Sequence, residues 1–110
     1  MYNEYFKLKD SEKELQVSID YKKDARIRGY YLDIVPVRKK EEEINGRKYY
    51  SIMVSMSDMF GTPRILLKEV KRRTPKADEE ALSIGKAIML EKVAEEAKRL
   101  GKELQNGTNN

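Results

Sequence analysis

The chain has 110 residues, no cysteine and no histidine, and 38% of its residues are charged, with a formal net charge of +4. This length and the 39% share of hydrophobic residues predict a single domain over residues 1–105, with residues 106–110 as a disordered polar tail. The absence of cysteine excludes a disulfide framework, a thiolate metal site and a cysteine nucleophile.

Three strands are predicted in the first third of the chain. Residues 5–9 alternate weakly and predict a short edge strand. Residues 14–21 alternate apolar and polar side chains, which is the period-2 pattern of a half-buried strand. Residues 30–37 are apolar on nearly both faces, and because Pro36 has no backbone N–H, we expect an edge position or a β-bulge there.

A hairpin turn is predicted at Asn45-Gly46, because both residues tolerate the positive φ angles of a type I′ turn. A two-residue turn pairs residue i with residue 91 − i, which sets Val37 opposite Val54. In this register one apolar face contains Val35, Val37, Tyr50, Ile52, Val54 and Met56. The distal end of the hairpin, from residue 38 to residue 48, is highly charged, and we expect it to project into solvent as a mobile arm.

A strand over residues 64–72 and a long helix complete the chain. Thr74 is a good N-cap residue, Pro75 suits the first helical position, and the acidic residues from Asp78 onward favour the positive end of the helix dipole. We expect the helix to end near Leu104. The order of elements predicts an α+β fold: an antiparallel sheet of four to five strands, including the Asn-Gly hairpin, packed against one long C-terminal helix.

The predicted helix carries two apolar stripes, so one stripe would need a partner besides the sheet. The first stripe contains Ala77, Ala81, Ile84 and Ile88, and the second contains Leu82, Met89, Leu90, Val93, Ala97, Leu100 and Leu104. The partner is the N-terminal strand, a kinked second helical segment or another subunit. A homodimer is the alternative that places an interface at Ala81, Ile84, Gly85 and Ile88.

The composition argues against an enzyme. Without histidine and cysteine, the usual general base, nucleophile and transition-metal ligands are missing. The acidic clusters fall in predicted turns, in the arm and at the helix start, and the pair Gly85-Lys86 lies inside the helix without the other residues of a phosphate-binding loop. We therefore expect no catalytic residue, no metal and no cofactor. No apolar run approaches the roughly 18 residues of a membrane span, so we expect a cytoplasmic protein with no membrane partner.

Positive charge is concentrated before the helix. Residues 1–76 contain 18 Lys and Arg against 12 Asp and Glu, whereas residues 77–110 contain 5 against 7. Basic side chains neutralise phosphates, and tyrosine rings stack on unpaired bases, so this region predicts binding to RNA or DNA. The candidate binding residues are Lys22, Lys23, Arg26, Arg28, Tyr30, Tyr31, Arg38, Lys39, Lys40, Lys68, Lys71, Arg72, Arg73 and Lys76. Alternatively the tyrosines pack at the sheet edge and the cations maintain solubility or face an acidic protein, with Met53 and Met59 as interface candidates.

Three segments carry a resemblance. RGYYLDIVPV, SMSDMFG and LLKEVKRRTPKADEEA, within residues 28–81, resemble small accessory proteins of Gram-positive phages and mobile elements, a setting that includes anti-CRISPR proteins. The resemblance implies a partner such as a CRISPR effector, an RNA-guided defence nuclease that the protein would inhibit. Since the net charge is positive, we do not expect the chain to mimic DNA. We expect it to contact the guide RNA, or the nuclease before its RNA is loaded.

Overall fold

The structure is a computed structural model that describes residues 1–105. Five strands form one antiparallel sheet, and a long helix follows them, which confirms the predicted α+β fold. The elements are β1 (Tyr2–Lys7), β2 (Lys13–Lys22), β3 (Gly29–Ile44), β4 (Arg47–Met53), a short 3-10 helix (Met56–Met59), β5 (Arg64–Glu69) and α1 (Pro75–Arg99). The predicted tail over residues 106–110 lies outside the described residues. The described helix lacks the length of apolar sequence that a bilayer crossing needs.

The central strand is β3, which pairs with β2 along one edge and with both β5 and β4 along the other. Pro36 lies in the gap between β5 and β4, where no described strand pairs with that edge. The amide of Ile34 donates toward this edge, to the Pro63 carbonyl oxygen at 3.3 Å, and amides two residues apart point the same way. The nitrogen of Pro36 therefore faces the gap, so proline removes no ladder bond. The bulge lies elsewhere, between Tyr30 and Tyr31.

The predicted hairpin register is confirmed from Ile44–Arg47 to Arg38–Met53. Beyond Met53 the prediction is wrong, because the chain leaves the β3 edge there and residues 34–37 of β3 have no described strand as a partner on that side. The chain between β4 and β5 leaves the sheet through the 3-10 helix, so the predicted pairs of Val35 and Val37 do not form. Met56, which the predicted register placed on the apolar face of the hairpin, is 80% exposed.

The helix buries one line of residues at a spacing of four rather than two stripes. The buried residues are Ala77, Ala81, Gly85, Met89, Val93, Glu96 and Ala97. Four residues advance the helix face by about 40°, so the line winds slowly around the helix as it follows the twisted sheet and takes residues from both predicted stripes. The core beneath it consists mainly of apolar residues of β2 and β3.

The predicted homodimer interface on the helix is therefore corrected. Ala81 is fully buried, and Gly85 brings the helix close to the sheet. A Cβ added at Gly85 would lie 2.5 Å from the Ile19 Cδ1 atom, so this glycine permits close approach and marks no bend. Ile88 packs against the core, and Ile84 alone of the four is exposed, by 42%. These residues do not form one accessible face.

The helix ends five residues earlier than predicted, at a glycine. Gly101 has a φ of 70°, its amide donates to the Lys98 carbonyl oxygen at 3.0 Å, and the Lys102 amide donates to the Ala97 carbonyl oxygen at 2.9 Å. These two bonds form a Schellman motif, which satisfies carbonyls of the last turn. Leu104 then pairs with Leu8 in a β-bridge instead of continuing the helix.

Candidate nucleic-acid interface at the basic end of the sheet

Two connections meet at one end of the sheet: residues 23–28, between β2 and β3, and residues 70–74, between β5 and α1. The Val70 amide donates to the Arg28 carbonyl oxygen at 3.1 Å. The Tyr21 hydroxyl donates to the carbonyl oxygens of Val70 and Lys71, at 3.3 and 2.8 Å. These hydrogen bonds hold the two connections side by side, and we call this surface the basic end. It contains Lys22, Lys23, Arg26, Arg28, Arg64, Lys68, Lys71, Arg72, Arg73 and Lys76.

Some cations of the basic end are neutralised by the protein's own carboxylates. Arg64 donates to Asp33 at 2.8 Å, and the Lys22 Nζ atom lies 3.8 Å from the same carboxylate. Lys68 lies 2.7 Å from Glu80 and holds the pKa of that carboxyl below its usual range. Arg73 is likewise paired, with Asp78 at 3.0 Å. Because each of these cations already lies beside a carboxylate of the same chain, it contributes less positive charge to a ligand than an unpaired cation does.

Six cations of the basic end are exposed and have no carboxylate within 4.0 Å among residues 1–105. They are Lys23, Arg26, Arg28, Lys71, Arg72 and Lys76. Arg26, Arg28 and Lys71 line one open concavity, whose wall also includes Glu69. Lys71 also lines a neighbouring concavity together with Arg72 and Lys76. Five of the six cations therefore line two adjacent concavities that share Lys71, and Glu80 lies on the wall of the second.

The two tyrosines predicted to stack on bases are covered by the protein's own residues. Tyr30 is fully buried, and its hydroxyl donates to Asp78. Tyr31 is 9% exposed, its hydroxyl donates to the Ile27 carbonyl oxygen at 2.5 Å, and the Arg64 guanidinium lies 5.8 Å from its ring centroid. This corrects the sequence-based expectation: both rings pack inside the protein, on the central strand rather than at the sheet edge that the alternative interpretation gave.

The acidic residue that follows the basic segment organises the start of the helix. Thr74 accepts a hydrogen bond from the Ala77 amide at 3.0 Å, as predicted for an N-cap. Asp78 accepts hydrogen bonds from Arg73 and Tyr30, and the pKa of its carboxyl is lowered, chiefly by Arg73. Burial, together with the bond to Asp78, raises the pKa of Tyr30 to about 12. This network ties helix, strand and basic segment together.

The remaining predicted cations lie on the hairpin arm, away from the basic end. Arg38, Lys39 and Lys40 follow the start of β3 by nine to eleven residues, which corresponds to roughly 30 Å along the strand. Lys39 lies 3.3 Å from Glu14, and Lys40 lies 3.3 Å from Glu42. The structure thus divides the predicted binding residues into two separate groups.

Arg64 is the residue of this surface that the sequence interpretation missed. Nothing in its local sequence distinguishes it, because its role depends on the pairing of β5 with β3, which sets it opposite Asp33.

The described residues contain no cluster of three or more metal-ligating side chains. No protein-family profile matches the chain, and no curated protein or solved structure shows significant similarity to it.

Proposed function

We propose that this protein is a non-enzymatic nucleic-acid-binding protein whose basic end contacts the phosphates of RNA or DNA. The observation that carries the proposal is the set of six exposed cations without a carboxylate partner among the described residues, five of which line two adjacent concavities. Lys and Arg side chains that neutralise phosphates release condensed counterions, and this release favours association.

The covered tyrosines define the mode of contact. Since Tyr30 and Tyr31 are buried, neither ring is available to stack on a base at the basic end. Contacts to phosphates position a protein on nucleic acid but do not discriminate between bases. We therefore expect binding that depends weakly on base sequence.

Titration of short labelled oligonucleotides at low salt tests the proposal. Single-stranded RNA, duplex RNA and duplex DNA should all bind, and their affinities should change little when the base sequence is scrambled. The absence of measurable binding to all three would overturn the proposal. Strong preference for one base sequence would contradict the contact mode while leaving nucleic-acid binding intact.

We extend the proposal to a nucleoprotein target, an RNA-guided defence nuclease that the protein inhibits. The support is the resemblance of residues 28–81 together with the positive charge of the basic end, which suits guide RNA. A cleavage assay tests this extension: inhibition should be stronger when the protein meets the nuclease before guide RNA is added. Full cleavage in either order of addition would remove the nuclease target without affecting the binding proposal.

A further inference from the structure

The outer edge of β4 is an open sheet edge. No described strand pairs with it, and all seven residues of β4 are exposed. In a two-residue hairpin the pair that flanks the turn, Ile44–Arg47, exchanges backbone hydrogen bonds, and every second residue pair does the same. The N–H and C=O groups of Lys48, Tyr50 and Ile52 therefore point outward. The amide of Ile34, which donates toward the β4 side of β3, agrees with this assignment.

The central part of this edge lacks the features that normally prevent strand pairing. Natural proteins protect an edge with prolines, charges, bulges or a covering segment. The central residues of β4, from Tyr49 to Met53, include no charge and no proline. Apolar side chains of β4 and the following segment are 42–80% exposed: Tyr49, Tyr50, Ile52, Met53, Val54, Met56 and Phe60. Successive side chains of a strand point to opposite faces, so β4 exposes apolar side chains on both faces beside its open edge, and exposed apolar groups of this size favour an interaction site.

We propose that β4 pairs antiparallel with β4 of a second copy of this chain, with Tyr50 facing its own copy on the two-fold axis. The three outward-pointing residues are centred on Tyr50, so antiparallel pairing sets Lys48 opposite Ile52 and satisfies the outward backbone groups of both chains. The outward-pointing residues of β4 are thus complementary to those of an identical strand, which favours a second copy of this chain over an unrelated strand as the partner.

The placement of charge also favours this arrangement. The only cations of β4, Arg47 and Lys48, lie at its turn end. Antiparallel pairing places them beside the uncharged Met53 and Ile52 of the other copy, so no like charges face each other across the seam. A parallel pairing would place these cations directly beside their own copies. The two sheets would become continuous, with the basic ends at opposite extremities because the two β3 strands run in opposite directions.

Analytical ultracentrifugation of the full chain over a range of concentrations tests the proposal. The wild-type protein should show a concentration-dependent monomer–dimer equilibrium. Tyr50→Pro removes an outward N–H that takes no part in pairing with β3, so it should raise the dimer dissociation constant about tenfold or more. Ile84→Lys, on the exposed helix face, is the control and should leave the dimer intact. Circular dichroism verifies that both variants fold.

Crosslinking locates the seam independently. The chain has no cysteine, so Tyr50→Cys introduces a single thiol on the proposed axis. A short bis-maleimide should link the two chains of a Tyr50→Cys dimer much faster than those of a Met56→Cys dimer. The position of Met56 is exposed but lies away from the β4–β4 contact.

Several results would overturn the proposal: a monomer at every concentration, a dimer that Ile84→Lys dissociates but Tyr50→Pro does not, or equal crosslinking rates of the two cysteine variants. If the chain is monomeric alone but Tyr50→Pro prevents capture of another protein, the edge serves a different partner and the second copy is excluded. Nucleic-acid binding is measured separately, and its outcome does not affect this inference.

Discussion

Reversing two charges at the basic end provides the sharpest test of phosphate binding. Each phosphate contact with duplex DNA contributes about 0.9 to the slope of log affinity against log salt, so six unpaired cations correspond to a slope of about −5. Between 50 and 200 mM salt, affinity should then fall by about 10³-fold. The double variant Lys71→Glu/Arg72→Glu removes two of these contacts, so the slope should weaken to about −3.5. Affinity at low salt should also fall, because the new carboxylates repel phosphates.

Fluorescence anisotropy with labelled duplex DNA over a series of salt concentrations measures both quantities. Lys39→Glu/Lys40→Glu is the matched control, since it changes the net charge equally but alters cations that already pair with Glu14 and Glu42. The control should keep a slope near that of the wild type. If the two double variants lose the same affinity and slope, net charge rather than the basic end controls binding, and the reasoning from local pairing is refuted.

Three further predictions concern stability. Thr74→Ala removes the helix N-cap acceptor and should lower the free energy of unfolding in urea by about 1 kcal/mol. In Gly29→Ala the added Cβ would lie well inside van der Waals distance of the Lys68 carbonyl oxygen. This clash is relieved only if β3 and β5 separate, so the free energy of unfolding in urea should fall by about 3 kcal/mol or more. Arg73 lowers the pKa of Asp78, so this carboxylate stabilises the fold above about pH 4 and the stabilisation is lost as pH falls. In Asp78→Asn, the decrease in thermal midpoint from neutral to acidic pH should accordingly be smaller.

Matched controls separate these causes. A Cβ added at Gly46 meets no atom within 4 Å, so Gly46→Ala has only the cost of a positive φ of 78°. Its free energy of unfolding should fall by about 1 kcal/mol. Equal losses for Gly29→Ala and Gly46→Ala would contradict the steric argument. Thr74→Ser keeps the cap and should preserve stability. For Asp78→Asn, a midpoint that falls with pH as steeply as in the wild type would exclude this carboxylate as a source of the acid sensitivity.

Local sequence patterns determined several elements of the fold. The turn at Asn45-Gly46 was predictable because both residues tolerate positive φ, and a two-residue turn dictates the hairpin register for as long as the strands remain paired. The N-cap at Thr74 was predictable for a similar reason, since capping depends on a side chain and an amide three residues apart. The helix end carried a usable signal that the prediction passed over, the glycine that directly follows Leu100.

The features that matter for function depended on contacts between distant segments. The accessibility of the two tyrosines depends on residues far away in the sequence. Asp78 contacts Tyr30 and Arg64 contacts Tyr31, and both contacts form only when the helix and β5 pack against β3. Likewise, hydrogen bonds between the two connections bring Arg28 beside Lys71. The sequence by itself determined the strands, the hairpin turn, the helix start and the excess of positive charge, because these depend on neighbours within a few residues. Only the tertiary structure decided which cations stay unpaired and which edge stays open, because both depend on the order in which strands lie beside one another.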